Sequence, residues 1–269
     1  MKKLFALTLA AIMVISCLAL TGCGSSSSDE GAAESDLAYV QEKGTLVVGI
    51  TDFAPMDYKD GGEDWIGFDA DMARAYAESI GVDIEFIEIN WDSKEMELEN
   101  KNIDCVWNGM TLTDGVKEAM ETSNAYCNNA QVVVTKADKA DAAATVEACK
   151  ELSFAVEAGS AGEEQATENG FNSLGVETQA DAVMEVAAGT ADACIIDSLM
   201  AGAMVGEGTS YPNLTTTVAL NEELYGVGFR KGSDMAASLN EFFKAAYADG
   251  SMVEIAKKYG TQESVIEQK

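Results

Sequence analysis

The sequence predicts an α/β protein of two similar lobes, each a mainly parallel sheet flanked by helices, with the second lobe inserted into the first. Three observations lead there. Strand-length apolar runs alternate with helix-period segments from Thr45 to Tyr259. The alternation restarts after the run Gln131–Lys136. A last strand and two helices then follow the second series, so the first lobe is completed only after the second is built. The expected boundaries are 37–133 with 222–269 for the first lobe and 137–219 for the second. Crossings are expected near Gln131–Ala137 and Val218–Glu223, and two strand-like connections permit hinge closure around a ligand.

Composition narrows the function. A chain of 269 residues with 47% hydrophobic content can bury real cores and is not a disordered polymer. Its net charge of -29 opposes nucleic acid and anionic membrane surfaces. The acid excess reads either as a solvated surface or as a field that draws in cationic solutes. There is no histidine, which removes the commonest general base and the commonest zinc ligand. The six cysteines show no C-x-x-C spacing. No metal, cofactor or catalytic residue is therefore expected, and the protein is not read as an enzyme. Cys105 and Cys194 read as buried small hydrophobes, whereas Cys127 and Cys149 are left open as a pair.

Taken in order, the chain starts with Met1-Lys2-Lys3 and an uncharged apolar run to Leu20, a signal peptide over residues 1–22. Leu20-Thr21-Gly22-Cys23 resembles the lipobox of bacterial lipoproteins, which implies lipidation and cleavage at Cys23. Loss of Lys2 and Lys3 with no acid would take the charge to -31. Residues 23–36, rich in Ser and Gly, form a flexible tether. Thr45–Ile50 is a strand. Phe68, Met72, Tyr76 and Ile80 mark one face of a helix, with Asp69 as its N-cap and Gly81 as its stop. Val82, Ile84 and Phe86 alternate with acids as a strand, a helix spans about Ser93–Asn100, and a strand runs from Ile103 to Trp107 before Asn108-Gly109. In the second lobe Leu152–Val156, Val176–Thr178 and Ala193–Ile196 are strands, with helices at Glu163–Glu168 and Ala180–Ala188. Leu224–Arg230 closes the first lobe, followed by helices at about Asp234–Ala248 and Met252–Tyr259.

In open α/β sheets ligands sit beyond the carboxyl ends of the strands. That rule selects the loops holding Phe53 and Met56, Trp91, Gly109 to Thr111 with Met110 between them, Ser160 and Ala161, and Asp197. Phe53, Met56 and Trp91 can cover or stack on a small body, or serve as core. Gly109 can offer its N–H and Thr111 its hydroxyl. Ser160 and Ala161 open a helix, whose N–H groups and dipole favour an anionic oxygen, although Ser160 can equally be a plain cap. Asp197 can accept from an ammonium, or cap the helix that follows it.

The ordered stretches GFDADMARAYAESIGV, WDSKEMELENKNIDCVWNGMTLT, VEAGSAGEEQ, ACIIDS and YGVGFRKGS resemble the extracytoplasmic solute-binding proteins of amino-acid ABC transporters, bacterial family 3. The resemblance implies a type II periplasmic-binding-protein fold and a monomer anchored by lipid to the outer face of the bacterial cell membrane. Such a protein binds an amino acid or related amine and delivers it to a membrane permease. It further implies that Asp197 holds the α-ammonium, that Gly109, Thr111, Ser160 and Ala161 hold the α-carboxylate, and that Phe53 and Trp91 pack on the side chain. The family usually carries an Arg a few residues after the two threonines, and here that position is Val116. Only Arg74 and Arg230 exist in the chain, and neither is expected in the cleft, so the carboxylate would rest on N–H groups and hydroxyls. Two other readings share the architecture: a receptor for a signalling partner, and a dehydratase-like enzyme.

Overall fold

The computed structural model describes residues 35–269. The signal peptide, Cys23 and nearly all of the tether lie outside the described residues. In chain order the strands are β1 (Thr45–Ile50), β2 (Asp83–Glu88), β3 (Cys105–Thr111), β4 (Glu121–Thr122), β5 (Cys127–Asn129), β6 (Gln131–Lys136), β7 (Ser153–Glu157), β8 (Asn172–Val176), β9 (Ala193–Asp197), β10 (Leu214–Ala219) and β11 (Glu223–Phe229). The helices are α1 (Asp36–Lys43), α2 (Phe68–Ile80), α3 (Lys94–Glu99), α4 (Asp114–Ala119), α5 (Val146–Cys149), α6 (Ala161–Asn169), α7 (Gln179–Ala188), α8 (Ser198–Met204), α9 (Met235–Ala248) and α10 (Ser251–Tyr259). None of the described helices is long and apolar enough to cross a membrane.

Two sheets result. In the first, β2-β1-β3 run parallel, and β11 adds antiparallel to β3 and carries β4 and β5. In the second, β8-β7-β9 run parallel, and β6 then β10 add antiparallel. Each lobe is thus a three-strand parallel core extended by the strands that follow or precede a crossing. The expected parallel sheets are mixed for this reason: a chain entering from the other lobe arrives at the sheet from the opposite end.

The first crossing sits earlier than the sequence indicates, and the return falls within the expected Val218–Glu223. All of β6 pairs within the second sheet, so the expected boundary at residue 133 falls inside a strand of the second lobe. The chain passes between lobes at Asn129–Gln131 and returns at Leu220–Glu223. The two passages are bonded side by side, with Leu220 N donating to Gln131 O at 2.8 Å and Gln131 N to Asn221 Oδ1 at 2.7 Å.

Two local expectations change. Helix α2 is entered through Gly67, not capped by Asp69, and ends at Gly81 in a left-handed conformation, φ 79°. Strand β3 does not stop before Asn108-Gly109 but continues through them to Thr111, because β11 offers a partner at Met110 and Thr111. Cys105, Cys127, Cys149 and Cys194 are all free and buried. Cys127 lies in β5 of the first sheet and Cys149 in α5 of the second lobe, so the pair left open does not form.

The first lobe is filled by Trp107, which is 1% exposed and sits 5.5–6.5 Å, ring to ring, from Tyr76, Tyr126 and Phe243. These rings come from α2, β3, the loop before β5, and α9, so the cluster joins the start of the chain to its end. Trp107→Ala is expected to lower the unfolding free energy by about 3–5 kcal/mol in a urea titration. A loss under about 1 kcal/mol would show that the cluster is not what joins these elements.

Candidate functional site

Strands β1, β3, β7 and β9 end at a common cavity of about 490 Å³ between the two sheets. Phe53, Trp91, Gly109, Met110 and Thr111 line it from the first lobe, and Ser160, Ala161 and Asp197 from the second. Met56 does not. It is fully buried in the core of the first lobe, and its carbonyl receives the N–H groups of Asp69 and Ala70. The turn from Phe53 to Asp57 folds back on itself, and of its two large side chains only Phe53 reaches the cavity.

Asn108 anchors the loops on the first-lobe side. Its amide accepts from the N–H and hydroxyl of Thr51 at 3.0 and 2.7 Å and donates to Thr51 O and Asp57 Oδ2 at 3.0 and 2.8 Å. Asp69 lies behind it, fully buried, and accepts from Gly109 N at 2.6 Å and the Tyr126 hydroxyl at 2.7 Å. The Gly109 N–H is therefore spent on Asp69, not offered to a ligand. Thr111 is likewise committed, because its hydroxyl donates to Glu223 Oε1 at 2.9 Å.

What remains for an anion is the start of α6. Ser160 caps that helix by accepting from Glu163 N at 3.2 Å, which confirms the capping role. The cap leaves the N–H groups of Ala161 and Gly162 as first-turn donors at the positive end of the helix. A cation that the sequence reading missed stands beside it. Lys94, 7% exposed, donates from Nζ to Trp91 O at 3.2 Å and across the cleft to Gly159 O at 2.9 Å. Burial pulls its pKa down, against the upward pull of Glu95, Glu157 and Asp92. Val116, at the family's arginine position, is an apolar part of the wall. Neither arginine lines the cavity: Arg74 bonds Asp71 and the Trp65 carbonyl, and Arg230 bonds Asp36 and Ile103 O.

Asp197 ends β9 at the N-cap position of α8, yet its side chain makes no capping bond. Its carboxylate instead accepts from Gln131 Nε2 at 3.0 Å, the Tyr225 hydroxyl at 2.6 Å, and the amides of Asn129 and Gln179. Asn129 and Gln131 also donate to Glu223 Oε1, at 2.6 and 2.9 Å. Burial pushes the Asp197 carboxyl well above the usual range, and the Glu223 carboxylate adds to it. A second acid, Glu157, closes β7 and lines the cavity 2% exposed. Burial raises it to about 8, with Lys94 opposing. Nothing in its local sequence, F-A-V-E-A, marks it as a site residue.

The cleft is narrow at its rim. Gly159, φ 71°, lies so close to Asp92 that a Cβ there would stand 2.8 Å from the Asp92 Cα. The arrangement is a cavity of about 490 Å³ that brings together an acid at the end of β9, the N-terminus of α6 and a lysine from the other lobe. It has no cluster of three ligating side chains arranged for a metal among the described residues.

A two-lobed fold with a charged cleft at facing strand ends defines a small-solute binding protein. The chain belongs to the bacterial extracellular solute-binding proteins, family 3, whose model matches residues 46–262. It is 29% identical to the arginine-binding extracellular protein ArtP of Bacillus subtilis (strain 168), over 98% of this chain and 100% of ArtP. It is 30% identical to the L-cystine-binding protein TcyA of the same organism, over 93% of this chain and 96% of TcyA. An ABC uptake transporter substrate-binding protein from Streptococcus pneumoniae with bound histidine matches at TM-score 0.80 and 27% identity, covering 88% of this chain and 100% of that one.

Asp69 and Glu157 hold their protons in the fold to about pH 7 and 8, far above the ordinary values of 3.8 and 4.5, chiefly because of burial. Each therefore favours the fold fully at pH below its unfolded value, and that contribution is lost as pH rises through the folded one. The melting temperature of the ligand-free protein should fall between pH 5 and pH 8.5, and fall less steeply in Glu157→Gln. Scanning calorimetry that gives equal slopes for the two proteins would contradict this.

Proposed function

We propose that this protein is an extracytoplasmic receptor that captures one amino acid between its lobes and delivers it to an ABC permease. One observation carries the reading: the cavity is lined by a buried acid, Asp197, and by the N-terminus of α6 with the Lys94 ammonium beside it. An amino-acid zwitterion carries the complementary pair of charges. Its ammonium meets Asp197, and its carboxylate meets the N-terminal N–H of α6 at Ala161 and the third donor of Lys94. Phe53 and Trp91 cover the side chain.

Relatives named for binding arginine and cystine support an amino acid as ligand. The side-by-side crossings at Asn129–Gln131 and Leu220–Glu223 support opening and closing by a hinge. The apolar N-terminal run and the lipobox-like Cys23 support a monomeric receptor tethered by lipid to the outer face of the cell membrane, close to its permease.

Calorimetric titration of the purified protein with the twenty L-amino acids tests the reading. At least one should bind, and Asp197→Ala should weaken it roughly ten- to hundredfold, the worth of about 1.5–3 kcal/mol for a hydrogen bond to a charged group. Absence of any amino-acid binding, or full affinity in Asp197→Ala, would overturn it. Gly159→Ala should prop the rim open against Asp92 and speed ligand release in stopped-flow measurements. Unchanged release would show that the two rims need not meet to retain the ligand.

A further inference from the structure

Glu157 is a buried acid whose oxygen Oε1 has no hydrogen-bond partner, in the wall of the cavity. A carboxylate removed from water is stable only when something replaces the water. The groups around it do not. Lys94, from α3, is the cation whose field reaches it, but its ammonium is turned to the carbonyls of Trp91 and Gly159. Gln179, from α7, gives its amide to Asp197 and also bonds weakly towards Glu157, which lowers that carboxyl but leaves Oε1 without a partner. Asp181, also on α7, pushes the Glu157 carboxyl further up. Asp197 ends the neighbouring parallel strand, so the second sheet presents two acids side by side to the cavity.

We infer that Glu157 is a specificity-determining residue, which receives a second positively charged group carried by the solute's side chain and so selects dibasic amino acids. This rests on the amino-acid reading above and adds to it the class of side chain. If the α-ammonium takes Asp197 and the α-carboxylate takes the start of α6, Glu157 is the remaining buried group in the wall without a partner. An ammonium or guanidinium supplies both the missing hydrogen bond and the missing charge. Family membership does not decide this, since ArtP is named for arginine and TcyA for cystine.

Protonation gives an independent readout. With the cavity empty, Glu157 holds its proton up to about pH 8. A cation placed against it expels that proton, so binding near pH 7 releases it to the buffer. An uncharged side chain of the same shape does not. Proton release from Asp197 would be common to both ligands and cancels in the comparison.

The test is titration calorimetry of the wild type and Glu157→Gln at pH 7, in two buffers of different ionisation heat. The probes are L-arginine against L-citrulline and L-lysine against L-norleucine. The wild type should prefer the charged member of each pair by at least tenfold and release more protons with it. In Glu157→Gln the preference should shrink towards unity and the extra release should vanish. Equal affinity of the wild type for charged and neutral members overturns the inference while leaving amino-acid binding in place, and it needs no variant to fold. A preference preserved in Glu157→Gln overturns it as well. Failure of every amino acid to bind removes the receptor reading and this one with it.

Discussion

Two amide side chains at the crossing between the lobes hold the site together. Asn129 and Gln131 each donate to Asp197 at the end of the second sheet and to Glu223 at the start of β11 in the first. Burial and the nearby Glu223 push the Asp197 carboxyl towards its protonated form, and shared amide donors bridge the two groups. Tyr225 and Gln179 complete the shell around Asp197. Asp197, which lines the cavity, is therefore positioned by the same short segments that join the lobes. Rotation of one sheet against the other acts directly on the backbone that carries those amides.

The rest of the cavity follows from where charge is left over. Donors that look available in the sequence are consumed in the fold, Gly109 by Asp69 and Thr111 by Glu223. Those bonds stiffen the first-lobe wall and leave the anion end to α6. The positive charge there is a lysine, not the guanidinium that the family pattern leads one to expect at Val116. A lysine is a point charge with rotatable donors, so it attracts a carboxylate without fixing its plane. In this protein the same ammonium also bridges the cleft to Gly159.

Much of this was legible before the fold was known. The alternation of strand and helix periods identifies the two lobes and the insertion, and the strand-end rule brings Phe53, Trp91, Gly109, Met110, Thr111, Ser160, Ala161 and Asp197 to one cavity. Met56 failed because a strand-end loop has two sides, and only tertiary packing assigns each residue to one of them. Asp69 failed as a cap because Gly67 already admits the chain to α2, which frees the carboxylate to reach β3. Lys94 stands in K-E-M-E-L-E, which reads as a solvated helix face. It is buried because Trp91 beside it and Gly159 of the other lobe take its ammonium. Glu157 extends a strand whose apolar part ends one residue earlier.

What the sequence determined by itself was periodicity, and periodicity is local: it is written in residues two, three or four apart, and it specifies elements, their order, and which of their ends carry loops. What the tertiary structure decided was the state of each polar group. The bonds that matter join residues far apart in the chain, 40 for Gly109 with Asp69 and 112 for Thr111 with Glu223. Whether an N–H, a hydroxyl or a carboxylate is spent or free depends on partners that no local pattern contains.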